Sequence, residues 1–370
     1  MTEKLKKSIE QIKALIKRFI ELNWEKLVNT KQYEVLGLDI GSSAIKIVQL
    51  RKDKEGYEVV AAGVTQIDTD AEDGKYDEET STIQAINRCL KSAGVEAKLA
   101  VSGVCGPEVA VRDFKFPSLM PEEVESAVTL EAAQVCPFNV DDGTIDYQLI
   151  PDGKENIHGI LVAATNSLVE RKKSFIDSDS LNNVLMDVEG LALLNCLEGC
   201  EKSKTRRNKA VLNVGDSFTT LAIIGDSSLP SVRDIAYAGN NIVKKIADKN
   251  NVSAKAVRTA LSGESAADGD LDTGESLAQA CHQLVADVNE TLRYYSTQEK
   301  SGVVKEVFLC GGFATVKGFA ELLGEQLSAR VILWNPFEKM RCNAGQKCRD
   351  VIQENGPALA VAAGLAMRSV

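Results

Sequence analysis

Asp39 ends an apolar run, Val35–Asp39, and stands two residues before Gly41-Ser42-Ser43. A second apolar run, Ala44–Leu50, follows at once, so the stretch reads as strand, tight turn and strand. Small turn residues let backbone N–H groups approach an anion closely, and their aligned dipoles can hold phosphate. A carboxylate beside such a turn can hold a Mg ion through water. A plain hairpin carries the same pattern, so the stretch alone leaves both meanings open.

The pattern occurs again. Asp39-Ile40-Gly41-Ser42-Ser43 aligns with Asn213-Val214-Gly215-Asp216-Ser217, and apolar positions flank both. Each copy stands at the head of one half of the chain. Two hairpins so placed can face each other and clamp the phosphates of one nucleotide. A third glycine turn, Gly311-Gly312, follows the apolar run Val307–Cys310 and precedes a helical stretch through Leu323. Two glycines there let the backbone lie flat against a ring or phosphate, and the helix start adds a positive dipole. An ordinary strand-to-helix turn has the same sequence.

Regular elements must position these groups. Gly56–Asp68 reads as a third strand, 80–93 as a helix stopped by Gly94, and Lys98–Val104 as a buried strand. Acidic, polar residues 68–80 read as a loop. Residues 112–184 change in texture: a proline-led helix from Pro121, short strands at 146–150 and 157–165, and a polar helix over 167–180. That pattern suits an inserted α+β subdomain. Val184–Glu189 is a strand running into a helix over Gly190–Leu197. The charged stretch Glu201–Lys209 reads as a domain boundary. Beyond it come helices at 242–249 and 254–261, a Gly-rich acidic loop at 262–274, and a long helix over Leu277–Tyr295. The last helix, Ala358–Arg368, carries Gly364, which permits close helix packing.

The totals set limits. At 370 residues the chain suffices for two domains or one large bilobal unit. Its net charge of −10 argues against nucleic acid as a partner. Nine cysteines without a C-x-x-C pair, and only two histidines, argue for free thiols in a reducing compartment rather than a metal cluster. Neither a membrane span nor a signal peptide is expected.

Residues 1–30 stand apart. Leu5, Ile9, Ile12, Ile16, Phe19, Ile20, Trp24 and Leu27 recur at helical spacing, among seven basic and four acidic residues. Such a helix suits a membrane surface, a partner or the chain's own body.

Taken in order, the Asp39 hairpin, Asp187–Leu194, the Asn213 hairpin, Gly311-Gly312 and Ala360–Gly364 resemble the five nucleotide motifs of the actin-like ATPase superfamily. Sugar kinases, chaperone ATPases, actin and FtsA share that fold. Gly37–Lys46 is similar to the opening of the PilM family of type IV pilus assembly proteins. Pro137-Phe138, Asp146-Tyr147-Gln148, Asp187-Val188-Glu189, Thr291–Tyr295 and Asn335-Pro336-Phe337 resemble that family too.

The resemblance implies an α/β, bilobal actin-like ATPase fold with an FtsA-style inserted α+β subdomain. After the leader helix, 1–30, lobe one would span 33–205 with its insert at about 112–184. Lobe two would span 206–350 with a helical subdomain at about 239–300, and 351–370 would return to lobe one. ATP or ADP with Mg would sit between the lobes. The implied nucleotide-binding residues are Asp39, Gly41, Ser42, Ser43, Lys46, Asn213, Gly215, Asp216, Ser217, Gly239, Asn240, Gly311, Gly312 and Phe313. Asp39 would hold the metal through water, and Asp39 and Glu189 are the candidate catalytic residues. The implied role is a cytoplasmic adaptor, peripheral to the inner membrane. It would bind the tail of a PilN-like bitopic membrane protein at 112–184 and communicate with pilus motor ATPases, with membrane contact through 1–30.

One departure bears on chemistry. The family's second phosphate hairpin carries Asp where this chain has Asn213, and an amide cannot act as a base. Binding without hydrolysis is therefore expected. The alternative is an active ATPase or a small-molecule kinase of the same fold, for which the resemblance leaves the connecting-segment carboxylates Asp187 and Glu189 as the candidate bases.

Overall fold

The computed structural model describes residues 35–68, 77–150, 156–176, 181–201, 208–225, 229–263, 273–298 and 302–368. The expected leader helix over 1–30 lies outside these residues. So does most of each expected loop at 68–80, 201–209 and 262–274.

Lobe one begins with an antiparallel meander of β1 (Leu36–Ile40), β2 (Ala44–Asp53) and β3 (Gly56–Gln66). Helix α1 (Glu78–Ala93) crosses to β4 (Leu99–Val104). Asp77 caps α1 by accepting from the Glu79 N–H, and Gly94 ends it in the left-handed region at φ 66°. Its inward face carries Thr82, Ala85, Ile86 and Cys89 at the helical period.

The chain then leaves this sheet. Strand β5 (Val109–Phe116), helix α2 (Pro121–Val135), β6 (Gly143–Ile150) and β7 (Ile157–Thr165) follow. They make a separate three-stranded antiparallel sheet in the order β5-β7-β6. Phe114, Val124, Val128, Ala132 and Leu161 form its own small core. Helix α3 (Asn166–Ile176) leads back to β8 (Asn182–Val188), which pairs in parallel with β4. The expected insert, 112–184, therefore overruns at its C-terminal end. Residues 182–184 belong to the large sheet because β8 pairs with β4 from Asn182 onward, although its first residues are exposed or half-buried, so their burial gives no sign of a strand. Helix α4 (Glu189–Cys200) closes the lobe.

Lobe two repeats the plan. β9 (Lys209–Val214), β10 (Thr219–Ile224) and β11 (Ser231–Ile235) form a meander. Helices α5 (Gly239–Asn250), α6 (Ala254–Leu261) and α7 (Thr273–Thr297) lead to β12 (Glu306–Cys310). α8 (Phe319–Gln326), β13 (Arg330–Leu333), β14 (Arg341–Cys342), α9 (Gln346–Asn355) and α10 (Ala360–Ala366) complete the described chain.

The two large sheets run β14-β3-β2-β1-β4-β8 and β11-β10-β9-β12-β13. Without β14, both are an antiparallel meander whose first strand is followed by two parallel neighbours. The five-residue repeat in the sequence is thus one corner of a duplicated sheet.

Helix α10 returns to lobe one, and its closeness depends on small residues. A Cβ on Gly37 of β1 would lie 1.9 Å from the Ala362 carbonyl oxygen. A Cβ on Gly364 would lie 2.0 Å from that of Ala192 on α4. The expectation for Gly364 follows: glycine is required where the two backbones touch. All nine cysteines are free thiols. Among the described residues, no helix is long and apolar enough to cross a membrane.

Candidate functional site

The two turns have one geometry. Gly41 N–H donates to the Ala44 carbonyl at 3.1 Å, and Gly215 N–H to the Phe218 carbonyl at 3.0 Å. Ser42, Ser43, Asp216 and Ser217 lie outside the strand ladders, at the tips. The tips meet: Ser217 Oγ donates to Ser42 Oγ at 2.8 Å. Behind them is a cavity of about 290 Å³ lined by Asp39, Lys46, Glu189, Asn213, Gly311 and Gly312, among others.

In lobe one, Asp39 lies opposite Lys46 in the ladder, and antiparallel partners present their side chains to one face. Lys46 Nζ stands 3.1 Å from Asp39 Oδ2, and both are largely buried. Burial pulls the Lys46 ammonium down, but Asp39, by charge and hydrogen bond, leaves it raised overall. In lobe two, Asn213 lies opposite Thr220, which lies opposite Asp234 on β11. Thr220 Oγ1 donates to Asp234 Oδ1 at 2.6 Å, and the Gly106 N–H of lobe one donates to Oδ2 at 2.7 Å. Asp234 thus pins a lobe-one loop to lobe two. Burial raises its carboxyl, against the two hydrogen bonds.

Glu189 starts α4 at the back of the cavity. Burial first, then the Asp39 charge, push its carboxyl up to about 7, while Lys172 opposes the rise. Lys172 Nζ also donates to the Ile40 carbonyl at 2.6 Å, which holds α3 against the first hairpin.

Gly311 is at φ 100°, and a Cβ there would lie 2.4 Å from the Val214 carbonyl oxygen. Only glycine fits between β12 and the second hairpin. A Cβ on Gly312 would meet nothing within 4 Å, so its backbone faces open space. The donor set fits a nucleotide: two glycine-tight turns, Lys46 and Lys172 in the lining, and the open backbone of Gly312. It also fits Mg held through water and phosphate oxygens, because Asp39 offers one carboxylate at the turn. Among the described residues, no group of three or more His, Cys, Asp or Glu could hold a metal ion alone.

Asp216 lines the cavity with its carboxylate turned aside, and Gly239, Asn240 and Phe313 lie outside the lining. Asp216 Oδ1 is held by Arg258 at 2.9 Å, so its side chain points to α6 and does not replace the carboxylate absent at Asn213. Gly239 and Asn240 donate their N–H groups to the Gly215 and Asp216 carbonyls, at 3.0 and 2.8 Å. Phe313 is buried edge-on against Phe319, 5.0 Å between ring centroids. These three brace the second turn from lobe two. Asp187 faces away from the cavity, into a groove on the other side of β8. Asp234, Lys172 and Arg258 were not legible as site residues. Asp234 reaches Thr220 only through strand pairing, and Lys172 and Arg258 sit in helices whose sequences carry no site signal.

The groove has a volume of about 390 Å³. Val162 and Ile160 of β7 and Asp146 of β6 line one wall; Met186 of β8 and Leu191 of α4 line the other. Arg368 stands at its mouth, and Arg368 Nε lies 3.1 Å from Asp187 Oδ2.

Comparison with known proteins places these features. A solved PilM–PilN type IV pilus biogenesis complex matches with a TM-score of 0.77 and 24% identity, over 92% of this chain and 99% of that one. The ethanolamine utilization protein EutJ from Carboxydothermus hydrogenoformans matches with a TM-score of 0.48 and 15% identity, over 90% of this chain and 89% of that one. Cell division protein FtsA of Bacillus subtilis (strain 168) is 25% identical over 241 residues, 57% of this chain and 53% of FtsA. The chain thus spans about half the length of that relative. The model of the family described as type IV pilus assembly protein PilM matches residues 37–370. With the duplicated sheets and the paired hairpins of the actin-like ATPase fold, that match identifies the chain as a member of the PilM family.

Proposed function

We propose that this chain is a cytoplasmic, nucleotide-binding adaptor of type IV pilus machinery that holds the tail of a PilN-like inner-membrane protein. The observation that carries this is the groove between the three-stranded sheet and β8–α4, apolar in its floor and separate from the nucleotide cavity. Such a channel suits a short peptide segment. The related solved structure is a complex of PilM with PilN, which supports the same partner here. ATP or ADP with Mg would lie between Gly41 and Gly215, with Asp39 on the metal through water and Lys46 beside the phosphates.

Hydrolysis is not part of the proposed role. The second hairpin offers the amide of Asn213, and Asp216 is turned to Arg258. A small-molecule kinase needs a base beside an acceptor pocket; of its two candidate bases Asp187 faces the groove on the other side of β8, and Glu189 alone lines the nucleotide cavity.

The test is titration of the full chain with a fluorescent peptide of the PilN-like protein's cytoplasmic tail, from the same organism. Asn195→Trp, which fills the groove, should abolish tail binding and leave binding of ADP and Mg unchanged. Wild-type tail affinity in that variant would refute the placement. Steady ATP turnover at about 1 s⁻¹ or faster would refute the adaptor without hydrolysis.

A further inference from the structure

Asp187 lines the groove although it is only 8% exposed. Its Oδ1 accepts from the Val188 N–H at 2.8 Å. Its Oδ2 is buried and has no hydrogen-bond donor among the described residues. Arg368 Nε is near enough for an ion pair but off the hydrogen-bond line. Arg368 is 40% exposed and follows the last described helix, so the cationic half of this pair is partly solvated. A buried carboxylate oxygen without a donor is costly, and a charged donor relieves that cost most effectively.

The rest of the groove agrees in sign. Asp146 and Glu198 are further acids in its lining, and among the described residues Arg368 is its one base. Asp146 and Glu198 are exposed, and neither is ion-paired among the described residues. The cytoplasmic flank of a membrane-spanning segment is enriched in Lys and Arg. The walls also favour an extended chain. Among the described residues β6 pairs only with β7, and β8 only with β4, so each presents one edge unpaired there. A free strand edge can hydrogen-bond an extended peptide backbone.

We infer that the groove anchors its peptide by seating a Lys or Arg side chain on Asp187, with the peptide extended between the edges of β6 and β8. This rests on the proposal that the partner's tail occupies the groove. Arg368 is then the stand-in that the incoming cation displaces, and Asp146 and Glu198 draw basic residues to the mouth.

The experiment measures anisotropy of the fluorescent tail peptide on the full chain. A second peptide has every Lys and Arg replaced by Gln. Asp187→Asn should weaken the native tail tenfold or more and the neutral tail less than twofold. Arg368→Gln should bind the native tail at least as tightly as wild type. Equal weakening of both peptides by Asp187→Asn, or none, overturns the inference. If Asp187→Asn does not fold, the unaltered chain decides. A native tail bound less than threefold more tightly than the neutral one overturns the anchor, as does a tail with no Lys or Arg. Asn195→Trp separates the two levels. Loss of binding there, without an Asp187 effect, refutes only the anchor. Undiminished binding there refutes the groove itself, and the anchor with it.

Discussion

Asn213 occupies in the second hairpin the place that Asp39 holds in the first. Each stands two residues before the turn glycine, and each faces the residue five beyond it, Thr220 or Lys46. The duplication extends one strand further, where Asp234 matches Val64 of β3. Lobe one therefore presents carboxylate, ammonium and alkyl across three strands. Lobe two presents amide, hydroxyl and carboxylate. Its acid has moved two strands away and is occupied by Thr220 and Gly106.

Restoring a carboxylate at the turn should restore a base. Asn213→Asp is expected to raise ATP turnover with Mg by at least about tenfold, a conservative share of the hundredfold or more usual for a positioned base. Phosphate release under single-turnover conditions measures this. An unchanged rate, with nucleotide affinity intact, would show that Asn213 is not what limits hydrolysis.

The Lys46–Asp39 pair makes a prediction about stability. Both groups are mostly buried, so removing one partner strands the other's charge. Lys46→Met should cost about 3 kcal/mol or more in urea unfolding, the usual range for a broken buried pair. Adding Asp39→Asn to that variant should recover most of the loss, because no charge then remains buried. Costs that simply add would place the pair's contribution in packing rather than charge.

The fold was legible where period and punctuation agreed. Glu78–Ala93 has its apolar face, its Asp77 cap and its Gly94 stop all in sequence. The hairpin repeat was legible because both turns need a glycine at the same step. Residues whose roles arise from tertiary pairing were not. Asp234 becomes part of the site only because β11 lies beside β10, and Asp187 and Glu189 separate because β8 gives way to α4 between them. The spacing in sequence suggested one function for both acids. The groove face and the cavity face differ because the chain changes from extended to helical at that step.

Glu189 sets the direction of one pH dependence. Burial and Asp39 hold its folded carboxyl at about 7, above the ordinary glutamate value of 4.5. An acid raised on folding is stabilising below its unfolded pKa, where both states keep the proton. It costs stability as pH rises, because the unfolded chain ionises first. The loss starts near pH 4.5, is complete above about 7, and amounts to about 3 kcal/mol at 1.36 kcal/mol per unit. Burial raises Asp187 and Asp234 as well, which adds to the same trend. Glu189→Gln keeps the shape and removes the titration. Urea midpoints measured from pH 4.5 to 8 should therefore fall less steeply in Glu189→Gln than in wild type. Parallel curves would mean that Glu189 is ionised in the folded chain throughout, and that Lys172 and Lys46 outweigh burial and Asp39. A nucleotide with Mg should narrow the contrast, since a metal beside Asp39 would offset part of the repulsion that raises the Glu189 carboxyl.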